Sequence, residues 1–364
     1  MHYRVDAMLG RRRPVVAPDD DFHTAVMQRR HHAAMRAGIA GTDVAGDRQR
    51  VRPAPLAVTC EHLFQVDEFS TENVQRARVR DRGDQHRDLP TGDRGETTGA
   101  ALTAHPDVDK ISFTGSTEVG RLIVKAAAGN LKRLTLELGG KSPLIMFDDA
   151  NPDKAIMGAG IGLLAGSGQN CSCTSRIYVQ RGIYDRVVEG LAAFARMLPM
   201  GGSDDPTSVL GPLISEKQRR RVTAIVDEGV AAGAQVITGG KHLDRRGYFY
   251  EATIITNTTP DMRLIREEIF GPVGSVIPFD DEDEVMAAAN NTEYGLAGSI
   301  WTENLARAHR VVNRLNAGQI WVNTALAADP SMPISGHKQS GWGGERGRKG
   351  IEAYFNTKAV YIGI

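Results

Sequence analysis

From about residue 100 onward, short apolar runs that alternate every second position are separated by stretches of helical spacing. Ile111 and Phe113 alternate, and GSTEVG then opens an amphipathic helix carrying Val119, Ile123 and Ala127. Leu134, Leu136 and Leu138 alternate next, and LIMF at 144–147 reads as a compact buried strand. A helix of small residues follows Pro152, then a strand at 176–180 and a helix from Tyr184 to about Leu198. Further on the pattern predicts a helix around 215–232, strands near 235–238, 249–256 and 273–279, and a helix from Asp283 to Ala289. A strand at 296–301, a helix over 304–316 and a strand at 318–323 complete it. Strands interleaved with helices predict an α/β fold with mainly parallel sheets. A length of 364 residues suggests two domains, or one large α/β unit with a smaller partner.

The first hundred residues have another character. They hold 16 Arg and no Lys, six of the ten His and none of the three Trp, and show no sustained period. Runs such as RARVRDRGDQHRD (76–88) alternate charge with little to bury. This stretch reads as a poorly folded polar extension, or as a GC-rich gene translated out of frame, since such frames over-produce Arg, Ala, Pro, Gly, Asp and His. A nucleic-acid arm fits less well, because 15 acidic residues offset the 16 Arg. Over the whole chain 44 basic and 44 acidic residues balance to zero, which argues against a partner bound by bulk positive charge. No apolar run approaches about 18 residues, so no membrane span is expected. The opening MHYRVDAMLGRRR lacks the apolar core of a secretory signal. Three cysteines, Cys60, Cys171 and Cys173, make no disulfide framework, and a cytoplasmic location is the default.

Several short motifs could carry chemistry. GSTEVGRL (115–122) has P-loop glycines, but Arg121 and Leu122 stand where Lys and Ser or Thr are required. What remains is a strand, then Gly115 and Ser116, then a helix N-terminus able to receive a phosphate; a plain turn with Ser116 as N-cap is the alternative. GAGIG (158–162) follows a helical start rather than a strand, so close helix packing is the better reading. LELGGKSP (136–143) sets Glu137 among apolar residues, where desolvation raises a carboxylate towards the range of a general base. A salt-bridged glutamate at a strand end is the alternative. GQNCSCTS puts Cys171 in a polar turn where backbone N–H groups could stabilise a thiolate; a buried core cysteine is the bland reading. With no second Cys pair this is a poor zinc site, no metal is expected, and Cys173 reads as a spectator or a resolving thiol. In EEIFGPV (267–273) an acid able to hold ribose hydroxyls precedes Phe270, which could pack on a flat ring; a helix end and a turn would look the same.

Taken in order, LELGGKSP, GQNC, EEIFGPV and KQSGWGGERG resemble the aldehyde dehydrogenase superfamily, and FTGSTEVG, DPTSVLGPLIS, GQIWVN and NTKAVYI fit the same family. The resemblance covers residues 92–364. It implies an aldehyde-dehydrogenase-like α/β fold: a Rossmann-type cofactor domain without its N-terminal strands, an α/β catalytic domain and a C-terminal oligomerisation strand. On that pattern residues 1–91 are unassigned, 92–137 are a remnant of the dinucleotide-binding domain and 138–330 form the catalytic domain. Residues 331–354 return to the cofactor domain, and 355–364 are the oligomerisation strand.

The function implied is NAD- or NADP-dependent oxidation of a small-molecule aldehyde to a carboxylic acid. Cys171 would be the nucleophile, forming a thiohemiacetal that passes hydride to nicotinamide and becomes a thioester. Glu137 would activate water to release the acid, and the Cys171 N–H would supply one oxyanion donor. Gly115 and Ser116 would meet the cofactor pyrophosphate, Glu268 the nicotinamide ribose and Phe270 the nicotinamide. A homodimer or homotetramer is implied, with no nucleic-acid or membrane partner. The chain also departs from the family. The P-W-N stretch that supplies an oxyanion-binding Asn and the K-P-S/A-E stretch that supplies a ribose-binding Lys are absent from residues 1–91, and Gly344 stands where many members carry Arg. Two alternatives follow: a catalytically impaired chain lacking a complete cofactor site, and a cofactor-independent thioester or ester hydrolase.

Overall fold

A computed structural model describes residues 95–364, with side chains from Thr98 onward, and the backbone of three earlier strands: β1 (Ala57–Thr59), β2 (Arg78–Arg80) and β3 (His86–Asp88). The chain divides into Met1–Pro53 and Ala54–Ile364, and every described residue belongs to the second unit. Apart from those three strands, the expectation for residues 1–91 lies outside the described residues, as does Cys60.

Helix α1 (Gly95–Ala104) leads into β4 (Lys110–Thr114), and α2 (Thr117–Ala127) crosses to β5 (Arg133–Glu137). α2 starts where it does because Ser116 is extended and its Oγ accepts from the Val119 N–H at 3.2 Å. Gly120 lets the helix lie close on Leu138, for a Cβ there would meet both methyl carbons of that leucine. β5 stops at Glu137, one residue short of the Leu134–Leu138 alternation, because the Leu138 N–H turns to the Ser340 carbonyl at 2.9 Å.

The larger sheet begins with β6 (Pro143–Met146), and α3 (Pro152–Leu164) leads to β7 (Arg176–Gln180). α3 is capped by Asn151 and has Pro152 in its first turn. Its GAGIG face is close packing, as expected: side chains at Gly158, Gly160 and Gly162 would collide with Trp301, Phe194 and Thr174. α4 (Tyr184–Met197) follows, burying Val187, Leu191 and Ala195 at helical spacing. Then come α5 (Glu216–Ala231), β8 (Gln235–Thr238), β9 (Thr253–Thr256), the short α6 (Arg263–Arg266) and β10 (Val273–Phe279). The strand expected from 249 starts only at Thr253, since Tyr250 bridges His242 and the Glu251 N–H bonds the Lys241 carbonyl instead of a sheet neighbour. Helix α7 (Glu282–Asn290), β11 (Tyr294–Gly295), β12 (Ala297–Trp301), α8 (Leu305–Arg314), β13 (Gln319–Val322), β14 (His337–Lys338), β15 (Gly341–Trp342) and α9 (Gly347–Glu352) complete the order.

Seven strands run β13-β12-β6-β7-β10-β9-β8, parallel except for β8 at one edge. On β6, Leu144 and Met146 join the cluster with α3 and α4, while Ile145 joins Phe279, Val285 and Val311 on the opposite face. Helices therefore cover both faces, which is why this strand reads as a continuous apolar run. The second sheet runs β1-β4-β5-β15, with β15 antiparallel to β5. β1 pairs in parallel with β4 on the edge opposite β5. Two ribbons, β11-β14 and β2-β3, are separate. Residues 355–364 form no strand in this single chain, and Val360, Tyr361 and Ile362 are exposed, Tyr361 to 94%.

Candidate active site

Glu137 is the last residue of β5, opposite Thr114 on one side and Gly341 on the other. It is 5% exposed, makes no ion pair among the described residues, and its Oε1 has no hydrogen-bond partner. Burial pushes its carboxyl up to about 7, helped by the negative Glu345 and opposed by Arg346 and the Gly336 backbone N–H. The salt-bridged alternative is therefore not what this glutamate does.

Glycines bring the motifs into contact. A Cβ on Gly140 would strike the Cys171 carbonyl, and one on Gly139 would lie 2.5 Å from Glu268 Oε2. Gly168, in the left-handed region at φ +69°, lies against the Gly271 carbonyl. LELGG, GQNC and EEIFGPV thus touch through bare backbone, and any side chain at these glycines would push them apart. The return segment seals the other side. Ser340 donates its hydroxyl to the Gly139 carbonyl at 2.6 Å and accepts from the Gly295 N–H at 3.0 Å.

Cys171 sits in a turn, half-buried, with Sγ 4.0 Å from the Ser172 hydroxyl. Its N–H makes no hydrogen bond among the described residues, leaving it free as an oxyanion donor, while Asn170 Oδ1 accepts from the Ser172 N–H at 2.9 Å. The expectation of a stabilised thiolate needs correcting. Burial pushes the thiol up, and the carboxylates of Glu268 and Glu137 push the same way against the Ser172 contacts. Cys173 is a buried spectator: its thiol contacts the Leu163 carbonyl at 3.4 Å and is pushed up to about 12 by burial. Among the described residues no group of three or more His, Cys, Asp or Glu could hold a metal, and no helix is long and apolar enough to cross a membrane.

The remaining candidates present free backbone donors and one free carboxylate oxygen. Gly115 donates its N–H to the Glu137 carbonyl at 3.0 Å, tying the α2 turn to the end of β5. Ser116 is the N-cap, and the N–H groups of Ser116, Thr117 and Glu118 make no hydrogen bonds among the described residues, so the helix start can receive an anion. Glu268 Oε1 accepts from the Gly140 N–H at 3.1 Å, while no hydrogen bond to its Oε2 is formed among the described residues. Phe270 is half-buried and held at φ +55°, a conformation that costs energy for a non-glycine residue and marks a constrained turn.

The aldehyde dehydrogenase family model matches residues 89–360. This chain belongs to the aldehyde dehydrogenase family. It is 46% identical over 276 residues to a betaine aldehyde dehydrogenase from Rhizobium leguminosarum, covering 75% of this chain and 56% of that protein. An NAD+ complex of the Bacillus cereus aldehyde dehydrogenase superposes with a TM-score of 0.74 at 42% identity, covering 75% of this chain and 56% of that one. The Staphylococcus aureus betaine aldehyde dehydrogenase in complex with NAD+ gives 0.70 at 39% identity, over 73% and 54%. The chain thus spans about half the length of the relatives it matches.

Set in this aldehyde dehydrogenase fold, three residues that motif reading passed over now have places, as does Arg346, which the sequence offered as a substitute for the Arg missing at Gly344. Gln169 clips the neighbouring segment to the cysteine turn, accepting from the Ile214 N–H at 2.8 Å and donating to the Pro212 carbonyl at 3.3 Å. Ser340 holds the Gly139 loop as described, and Arg346, two residues after Gly344, faces Glu137 electrostatically. Lys141 is fully buried although it is a lysine. Its signal was visible, a lysine wedged between GG and the apolar run SPLIM, but nothing in the sequence said what it faces.

Proposed function

We propose that this chain oxidises an aldehyde to a carboxylic acid through a thioester on Cys171, with Glu137 as base and NAD or NADP as the cofactor. The observation that carries this reading is the contact of the Gly140 backbone with the Cys171 carbonyl, which sets a buried, unpaired carboxylate within electrostatic reach of a reachable thiol. A carboxyl held near pKa 7 is half-ionised at neutral pH and can take a proton from thiol or water. The sulfur attacks the carbonyl carbon, a C–S bond forms, and the carbonyl electron pair moves to oxygen beside the free Cys171 N–H. A bound nicotinamide supplies the acceptor for the hydride that leaves this carbon. Once the proton taken from the thiol has passed to solvent, Glu137 takes a proton from water, the resulting hydroxide attacks the thioester carbon, and the C–S bond breaks to release the acid and the Cys171 thiolate.

In this reading Gly115, Ser116 and the first turn of α2 hold the pyrophosphate, Glu268 Oε2 accepts from a ribose hydroxyl, and Phe270 packs beside the nicotinamide. Residues 92–137 with 331–354 belong to the cofactor side and 138–330 to the catalytic side. The exposed apolar tail, 355–364, is assigned to the sheet of a second copy in a homodimer or homotetramer, a placement its exposure supports.

The test is NAD(P)H formation with a panel of aldehydes, betaine aldehyde included, in parental and Cys171→Ser chains. We expect the variant to lose roughly 10³-fold or more, and equal rates would sink the assignment. The hydrolase reading is kept because its two residues, Cys171 and Glu137, are both in place; ester hydrolysis without cofactor is its signature. A melting temperature unmoved by saturating NAD would point instead to the impaired chain, because a ligand stabilises a fold only by binding it.

A further inference from the structure

Asn170 stands directly before Cys171, and its Oδ1 accepts from the Ser172 N–H at 2.9 Å. A backbone N–H can only donate, so this bond fixes which end of the amide is oxygen and turns Nδ2 elsewhere. The Cys173 N–H closes the same turn on the Asn170 carbonyl at 3.0 Å. The side-chain bond forms a ring whose members include the Cys171 backbone nitrogen and Cα, so the amide is held beside the nucleophile. Asn170 is only half-buried, and its Nδ2 makes no hydrogen bond among the described residues.

The neighbouring side chains of the turn are engaged or enclosed. Gln169 Nε2 donates to the Pro212 carbonyl at 3.3 Å, and the Ser172 hydroxyl lies 4.0 Å from the Cys171 sulfur. The Cys173 thiol meets the Leu163 carbonyl at 3.4 Å, and Thr174 is fully buried. Holding the turn needs only an oxygen, which Asp or Ser would supply as well, so the nitrogen end of Asn170 has no structural duty.

When sulfur attacks a carbonyl, the oxygen gains charge in a place short of water and calls for more than one donor. The free Cys171 N–H is the first. We propose that Asn170 is a further catalytic residue of this site, its Nδ2 the second donor to the oxyanion beside the Cys171 N–H. The proposal rests on Cys171 as the nucleophile of the reading above. It does not rest on the cofactor, because an ester attacked by the same sulfur passes through the same kind of oxyanion.

The experiment compares two reactions of one sulfur in the full chain, without cofactor. 4-Nitrophenyl acetate acetylates Cys171: the C–S bond forms, the carbonyl electron pair moves to oxygen, and its return expels 4-nitrophenolate. Iodoacetamide alkylates the same thiolate by displacing iodide, and no oxyanion forms. Both rates are measured at one pH, with the modified cysteine located by mass spectrometry. A loosened turn or a shifted thiol pKa moves both rates together, so the ratio of acetylation to alkylation isolates the donor. Asn170→Ala and Asn170→Ser should each lower that ratio roughly 10²-fold, and Asn170→Asp, which sets an anion where the donor was, should lower it further. An unchanged ratio in Asn170→Ala and Asn170→Ser overturns the proposal. So does a parental Cys171 that is alkylated yet acetylated no faster than a small thiol of equal thiolate fraction. Should Asn170→Ala fail to fold, Asn170→Ser decides, because its hydroxyl oxygen still accepts from the Ser172 N–H. NAD(P)H formation from aldehydes reports on the dehydrogenase reading separately, so the two can fail independently.

Discussion

In the seven-stranded sheet, the strands beneath the cysteine turn bury apolar side chains on both faces: Leu144 and Met146 meet α3 and α4, and Ile145 meets the layer containing Phe279 and Val311. In the four-stranded sheet, the strand ending in Glu137 runs beside a set of buried polar groups. Lys110 lies under the Tyr354 ring at 4.7 Å and donates to Thr135 Oγ1 at 2.6 Å, and Ser112 donates to Glu345 at 3.1 Å. Both sheets come from the same strand–helix alternation. The apolar one supplies a close-packed floor on which the turn holding Cys173 rests. The polar one supplies charges in a poorly hydrated place, where they alter one another's proton affinity.

Three substitutions sharpen or break this comparison. The largest effect belongs to the apolar sheet, where Leu163 is fully buried against Gly274. Leu163→Ala should cost about 2–5 kcal/mol by denaturant unfolding, with little dependence on pH. A smaller and opposite effect belongs to Glu137→Gln. The ordinary carboxyl value of 4.5 rises to about 7 in the fold. Below 4.5 the group is neutral folded and unfolded; between 4.5 and 7 the unfolded chain ionises first, so the cost of keeping Glu137 grows and is complete above 7. The Gln variant should therefore melt higher at pH 8, by on the order of 3 kcal/mol of stability, and show no gain at pH 4. It should also slow acid release by roughly 10²–10⁴-fold if Glu137 is the base. Equal stability gains at both pH values would remove the distinction between the sheets. The smallest effect is expected at the surface, where Arg181 and Asp280 pair at 2.6 Å in open solvent. Arg181→Ala should leave the melting temperature unchanged, because exposed pairs gain little over their hydrated charges.

Much of this was legible before the fold was known. Apart from the short α6 and β11, element types from β4 to β13 follow from hydrophobic period, and the expected cap Ser116 sits one residue before its helix. The glycines of GAGIG read correctly as packing, since no strand preceded them. Other features escaped for a physical reason. The end of β5 depends on Ser340, about two hundred residues away, and no local pattern announces such a partner. Burial of Cys171 and the carboxylates facing it also come from distant segments, so a polar turn suggested a low thiol pKa where the fold raises it.

By itself the sequence determined the α/β alternation, the family and the candidates Glu137, Cys171, Glu268 and Phe270, because period and motif are local properties of a chain. Only the tertiary structure decided that Glu137 is unpaired, that Glu268 rests on Gly140, and that Lys141 is enclosed among charges. Desolvation and Coulomb forces depend on what surrounds a group in space, and those surroundings exist only once residues far apart in the chain have been packed together.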